Sequence, residues 1–375
     1  MWPIEPAAQP ACPGIQLAKA YGFALAGFLV AIALTQPLAY AQAPTSDFEL
    51  RTLRDWREEL AGSFDRRRAV WTGFGVAYGP YRDGQEPGVT EPSKEQIRED
   101  LKLIAKHWKM LRVYSSGATT RHVCQVIREE KLPLYVMVGA WLAEEAADDP
   151  PSASNRRQVD QAVALAKDYP ESVIAICVGN ETQESFSDHQ VATDRLIDYV
   201  CRARQATADM TGADVHGAAI RPVPITVADV DAFWLRPRSQ AVADKIDFIV
   251  THTYAMWHAK KLHEAIPYTK QKFAEVRQRH PNKLCVLGET GWATDRSDQQ
   301  AERIAGEVGE APQAEFLRQF KKWTTEEDRI VSFYFEAFDE NWKKSVPNAD
   351  PRDVEKHWGI YNADRTPKLA AKQLQ

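Results

Sequence analysis

The sequence predicts an α/β protein folded as a single (β/α)8 barrel of the TIM type, on three observations. Short β-branched or aromatic runs recur eight times between residues 72 and 336, each followed by a segment of helical periodicity or polar loop character, and the runs are apolar at nearly every position. Strands alternating with helices imply parallel pairing, and runs without polar alternation imply burial on both faces. Eight such units over roughly 300 residues fit a closed barrel with long loops.

The predicted strands are residues 72–78, 110–115, 133–139, 173–179, 224–229, 247–253, 284–289 and 330–336. After the first, Ser93 and Gln96 form an S-x-x-Q capping box ahead of Ile97, Leu101, Ile104 and Trp108 at helical spacing, so a helix begins there. Helices are also expected over 159–166 and 191–200, and around Phe316, Phe320 and Trp323. A doubly wound sheet uses the same rhythm, but Gly73, Gly75 and Gly79 lie in and just beyond the first strand. They do not follow the G-x-G-x-x-G order of a strand-to-helix phosphate turn. No short-period repeat, low-complexity tract or composition shift marks a second domain.

Residues 21–34 form an uncharged apolar run, preceded by Lys19 and followed by the small-x-small pattern of Leu38-Ala39-Tyr40-Ala41. This organisation predicts a signal peptide over 1–41, a polar N-terminal arm over 42–70 and the catalytic barrel over 71–375. The expected location is periplasmic or secreted; the alternative is an uncleaved N-terminal membrane anchor. Of the four cysteines past the signal, Cys177 and Cys285 sit in strand-like runs, and buried, mostly unpaired thiols are expected.

Composition narrows function by exclusion. With 47 Lys and Arg against 52 Asp and Glu, a formal charge of −5 and no basic block, nothing follows a phosphate backbone, so a nucleic-acid partner is not expected. There is no G-x-S-x-G for ester hydrolysis and no cysteine pair at zinc spacing. His252 and His258 match no strong metal-ligand pattern, which leaves a cofactor-free, metal-free reaction.

In a barrel of this kind chemistry sits at the carboxyl ends of the strands. Those ends read Tyr78-Gly79, Tyr114-Ser115, Gly179-Asn180-Glu181, His252-Thr253-Tyr254, Gly288-Glu289-Thr290-Gly291-Trp292 and Glu336. Glu181 and Glu289, each shortly behind a glycine, would project from the fourth and seventh strands, on opposite walls of the barrel mouth. Two facing carboxyls suit cleavage of a sugar acetal: one protonates the departing oxygen and the other attacks the anomeric carbon. The charge of Glu289 favours a proton on Glu181 until the ester forms, after which Glu181 acts as base.

Four motifs carry a resemblance: Val178-Gly179-Asn180-Glu181, Gly288-Glu289-Thr290-Gly291-Trp292, Phe338-Asp339-Glu340-Asn341-Trp342-Lys343 and His357-Trp358-Gly359-Ile360-Tyr361-Asn362. In order and strand assignment they resemble glycoside hydrolase family 17, the β-1,3-glucanases of the retaining barrel clan, from about Gly73 to Pro367. The resemblance implies a retaining hydrolase of β-1,3-glucan, with Glu181 as acid/base and Glu289 as nucleophile. It implies substrate-binding roles for Asn180, Tyr78 and Tyr254, and places Glu340 and Lys343 beside the catalytic pair; Tyr114 and Glu336 join them as strand-end residues. Phe335-Glu336-Ala337-Phe338-Asp339-Glu340 carries more acid than the plant pattern and is similar to bacterial members.

Trp141, Trp257, Trp292, Trp342 and Trp358 follow strand-end motifs and could stack on pyranose faces, Trp292 and Trp358 above all, whereas Trp108 and Trp323 sit on helical apolar faces and are expected in the core. Two alternatives remain open from sequence: a β-1,3-glucan transglycosylase using the same residues, and a catalytically inactive glucan-binding barrel.

Overall fold

The computed structural model describes residues 74–374 apart from 214, 216–219, 221, 329 and 346–349. The expected signal segment and arm lie outside the described residues. Eight parallel strands close into a barrel in sequence order. They are β1 Phe74–Ala77, β2 Met110–Arg112, β3 Tyr135–Ala140, β4 Val173–Asn180, β5 Ile225–Val230, β6 Phe248–His252, β7 Leu284–Thr290 and β8 Ser332–Tyr334. Each lies within or overlaps one predicted run. Around them run α1 Lys94–Ile104, α2 Ala118–Glu129, α3 Ala153–Asp168, α4 Thr193–Thr207, the short α5 Asp231–Trp234 and α6 Ser239–Ala243, α7 Leu262–Arg279, α8 Glu310–Lys321 and α9 Leu369–Lys372.

The helix starts follow local chemistry. Ser93 caps α1 reciprocally: its hydroxyl accepts from Gln96 N at 3.2 Å, and Gln96 Oε1 accepts from Ser93 N at 2.9 Å. Ile97, Leu101 and Ile104 then face the barrel and are buried. At the other end of the chain α8 passes into a π-helical segment, Lys322–Glu327, as the Thr324 and Thr325 hydroxyls bond back to the carbonyls of Phe320 and Lys321. Trp323, expected on a regular helix, is buried from that wider turn.

Two apolar layers result from strand alternation. Met110, Met137, Cys177, Phe248, Val250, Val286 and Phe333 fill the barrel interior. Phe74, Val76, Leu111, Ile176, Val178, Ile249 and Leu287 point outward and pack with the helices. Cys124, Cys177 and Cys285 are free and buried.

The ladder slips between four of the strand pairs, and the slips at β6–β7 and β4–β5 precede a functional residue. Between β6 and β7, Thr251 pairs with Leu287 but His252 pairs with Glu289, so Gly288 is passed over. Strict alternation from the inward Val286 would send Glu289 outward; the bulge returns it to the mouth. Gly288 is required at that point, because a Cβ there would lie 2.1 Å from Val250 Cγ1 and 3.1 Å from the His252 ring. Between β4 and β5, Cys177 pairs with Thr226 and Asn180 with Ala228, and the extra residue falls beside Gly179 at φ 80°. In a ring of eight, β7 stands opposite β3 and β4 opposite β8. The strands bearing Glu181 and Glu289 are therefore three positions apart, and not on opposite walls as expected from the sequence.

Candidate active site

Arg112 ends β2 with the same inward parity as Met110, placing a guanidinium in the mouth of the barrel at 1% exposure. Burying a charge there demands partners, and it has them. Its Nη1 donates to Glu289 Oε1 at 2.5 Å and to the Gly288 carbonyl at 3.2 Å, and Nη2 donates to Asn180 Oδ1 at 2.5 Å. Two residues on, Tyr114 donates its hydroxyl to Glu289 Oε1 at 2.8 Å; Tyr254, beyond β6, donates to Oε2 at 2.6 Å. Burial alone would raise the Glu289 carboxyl. His252, Arg112 and the two phenols together outweigh it and hold the group below its ordinary value. Burial and the Glu289 charge push both phenols well above theirs, so they stay protonated as donors.

Glu181 is differently placed. Its backbone adopts φ 50°, a left-handed conformation that is costly for a residue with a side chain. Its side chain is 21% exposed, against 6% for Glu289. The bond the structure gives its carboxylate runs to His252 Nδ1, 2.6 Å from Oε1. The other ring nitrogen of His252 lies 2.9 Å from Arg112 Nη1 and 3.5 Å from Glu289 Oε1, so one imidazole spans both carboxylates. A carboxylate oxygen of Glu181 and one of Glu289 lie within 4.8 Å of each other. Glu181, His252 and Glu289 could in geometry ligate a cation, but the fixed charge of Arg112 at 2.5 Å from Glu289 opposes one. His258 is elsewhere, against the Tyr268 ring.

A second carboxylate cluster follows β8. Lys343 Nζ lies 2.6 Å from Glu336 and 2.7 Å from Glu340, and all three are largely or fully buried. Glu340 is cradled by Gly79, where a Cβ would meet the carboxyl at 2.3 Å, and accepts from Trp342 Nε1 at 3.1 Å. Burial pushes the Glu336 carboxyl well above its usual range, Glu340 adds to this, and Lys343 only partly offsets it. Glu355 is raised to about 7 by burial first and then by Asp353, Glu181 and Glu289, against the opposing charge of Lys343.

Of the residues expected at the site, Glu181, Glu289, Asn180, Tyr114 and Tyr254 converge, with Glu336, Glu340 and Lys343 beside them. Trp358 packs edge-on against Tyr254 with ring centroids 5.1 Å apart, but at 1% exposure it leaves no face open to a sugar, contrary to the stacking role expected of it. Two expected binding residues lie elsewhere. Tyr78 shares the outward parity of Phe74 and Val76, and its hydroxyl donates to Asp100 of α1 at 3.0 Å. Trp292 is fully buried, stacked on Phe316 of α8 and bonded to the Glu307 carbonyl. The sequence pattern did not point to Arg112, to His252 as a bridge, or to Glu355. Arg112 had a signal: it is the charged residue within an otherwise apolar strand.

The sequence model of the BtgE/BtgC glycoside hydrolase domain matches residues 75–359. The chain belongs to this family. A glucan 1,3-beta-glucosidase of Arthroderma benhamiae is 31% identical over 136 residues, covering 34% of this chain and 42% of that protein. Glucan 1,3-beta-glucosidase of Saccharomyces cerevisiae is 21% identical over 280 residues, 72% of this chain and 83% of its own length. For the putative glucan endo-1,3-beta-glucosidase btgC of Aspergillus niger the figures are 22% over 297 residues, 75% and 40%. The chain thus spans less than half the length of the first and third of these relatives. An endo-laminarinase from Formosa Hel1_33_131 superposes with a TM-score of 0.68 at 26% identity, over 81% of this chain and 86% of that one. The glycoside hydrolase family 17 β-1,3-glucanosyltransferase of Rhizomucor miehei shares the fold, with a TM-score of 0.61 at 16% identity over 80% and 96%.

Proposed function

We propose that this glycoside hydrolase cleaves β-1,3-linked glucan with retention, Glu289 serving as nucleophile and Glu181 as acid and then base. The observation that carries the reading is the approach of the two carboxylates to within 4.8 Å, oxygen to oxygen. Retaining enzymes hold the pair about 5 to 5.5 Å apart, whereas inverting enzymes need roughly 6.5 to 9.5 Å to admit a water.

In the first step a Glu289 oxygen bonds to the anomeric carbon as the bond to the leaving sugar breaks, and the proton of Glu181 passes to the departing oxygen. In the second, Glu181 takes a proton from water, whose oxygen attacks the same carbon and releases Glu289 as carboxylate. Arg112, Tyr114 and Tyr254 keep Glu289 anionic until it attacks. A sugar hydroxyl in place of water gives transfer by the same residues. The names of the relatives support β-1,3-glucan as substrate. Export fits a polymer of that size: the apolar run 21–34 is read as its signal, and among the described residues no helix is long and apolar enough to cross a membrane.

Digestion of laminarin and its oligosaccharides with product sizing tests substrate and outcome together: shorter chains indicate hydrolysis, and chains longer than the starting oligomer indicate transfer. Glu289→Gln should lower turnover by about 10⁴-fold or more; unchanged activity refutes the assignment. Glu181→Gly should lose activity on glucan, and on β-laminaribiosyl fluoride, whose leaving group needs no proton, its turnover should rise with azide and release a β-glycosyl azide. An inactive variant whose turnover of the fluoride azide leaves unchanged argues against Glu181 as acid/base.

A further inference from the structure

We infer that Trp141 is a binding platform for the leaving-group sugar, and hence for an accepting sugar, and that it sets how efficiently chains are cleaved and extended. The inference rests on the roles of Glu289 and Glu181 proposed above.

The direction of the reaction locates the site. A nucleophile displaces its leaving group roughly in line, so the departing oxygen lies on the side of the anomeric carbon away from Glu289. Glu289 projects from β7, and the strand opposite β7 is β3. Trp141 is the residue following β3. Its parity points to the mouth: Met137 faces the barrel interior, the β3–β4 ladder runs without a slip from Met137 to Ala140, and positions 139 and 141 continue that side. At 37% exposure it is one of the few large apolar side chains left open to solvent among the described residues.

The ring is also held. It lies on the imidazole of His189, centroids 4.2 Å apart and planes 35° from parallel. His189 Nε2 is fixed by the Asn180 carbonyl at 2.8 Å, next to Glu181. Glu145, at 2% exposure, ties the segment after β3 to its neighbours: its carboxylate accepts from Asn155 of α3 at 2.8 Å and from Tyr199 of α4 at 2.6 Å. Its backbone pairs with Gln190 and Ala192 of the loop carrying His189. A flat ring whose orientation is set before binding loses little freedom on contact, and its face suits the C–H side of a neutral β-linked glucosyl unit. Glu181 is the more exposed of the two carboxylates, as release of a leaving chain on its side requires.

The test compares two donors. β-Laminaribiosyl fluoride forms the same ester at Glu289 but releases only fluoride, so it bypasses the platform; laminarihexaose leaves as a sugar and uses it. In Trp141→Ala the ratio of kcat/KM for laminarihexaose to that for the fluoride should fall roughly tenfold or more, equivalent to about 1.4 kcal/mol. Transfer to added laminaribiose should fall with it, and Trp141→Tyr should retain most of both. An unchanged ratio, or equal losses on both donors, overturns the inference. Should the alanine variant not fold, His189→Ala, which removes the ring behind Trp141, should lower the same ratio, and an unchanged ratio there counts equally against it. A parent enzyme inactive on both donors fails the proposed function instead, which keeps the two failures distinct.

Discussion

Glu289 and Glu336 are both buried carboxyls at one end of the same barrel, yet their surroundings drive them in opposite directions. Around Glu289 a guanidinium, an imidazole and two phenols converge on one carboxylate. Around Lys343 two carboxylates share one ammonium. Burial is common to both, so the balance of donors to acceptors decides the outcome: Glu289 is held below its ordinary value and Glu336 well above. The first arrangement favours the anion, and the second favours the neutral acid.

Removing the guanidinium should have the largest effect, because it collapses the contrast from the Glu289 side. Arg112→Met leaves Glu289 without its counter-charge and Asn180 Oδ1 without its donor. A fall in kcat/KM of about 10³-fold is expected, with a loss of roughly 3–5 kcal/mol in urea unfolding for half of a broken buried pair. A loss under tenfold would mean that His252 and the phenols suffice to keep Glu289 ionised.

Tyr254→Phe is a smaller cut in the same set. It removes one donor from Oε2 without changing charge, so a fall of about 10- to 100-fold is expected. The sign of the pH effect is fixed. If Glu289 is the nucleophile proposed above, it acts as an anion, activity is lost as pH falls through its titration, and a lost donor raises that titration. The acidic limb of kcat/KM should therefore move to higher pH, and an unmoved limb means that this hydroxyl does not tune Glu289.

The contrast also explains what could be read from sequence. The eight strands were legible because their apolar runs are long and buried on both sides, and Glu181 and Glu289 because each follows a glycine at a strand end. That glycine marks the bulge at Gly288 and the left-handed turn at Gly179 that aim these residues inward. Parity, which sends Tyr78 outward beside Val76, is present in the sequence and outweighs its strand-end position. Trp292 was misplaced for a different reason: whether a tryptophan past a strand end turns to the cleft or to α8 depends on packing with Phe316, which no local pattern encodes. The bridge through His252 depends on three strands meeting, and Arg112 becomes intelligible only with Glu289 opposite it.

The gentlest change probes the other cluster. Glu336 has no bond to Glu289, and Lys343 keeps Glu340 when Glu336 is gone, so Glu336→Gln should alter kcat/KM by less than about tenfold. Its signature is in stability. A carboxyl whose folded value lies above its unfolded value binds its proton more tightly in the folded state. Folding is therefore favoured at low pH, and that contribution is lost as pH rises from the unfolded value toward the folded one. Glutamine cannot titrate and escapes this loss. The stability of Glu336→Gln relative to the parent should therefore grow between pH 5 and pH 9, by at least about 1 kcal/mol, since a tenfold difference in proton affinity between the folded and unfolded chains is worth about 1.4 kcal/mol. If the difference instead stays flat over that range, Glu336 is ionised in the parent and pairs with Lys343 as an ordinary salt bridge, and the two carboxyls would then differ in partners but not in charge.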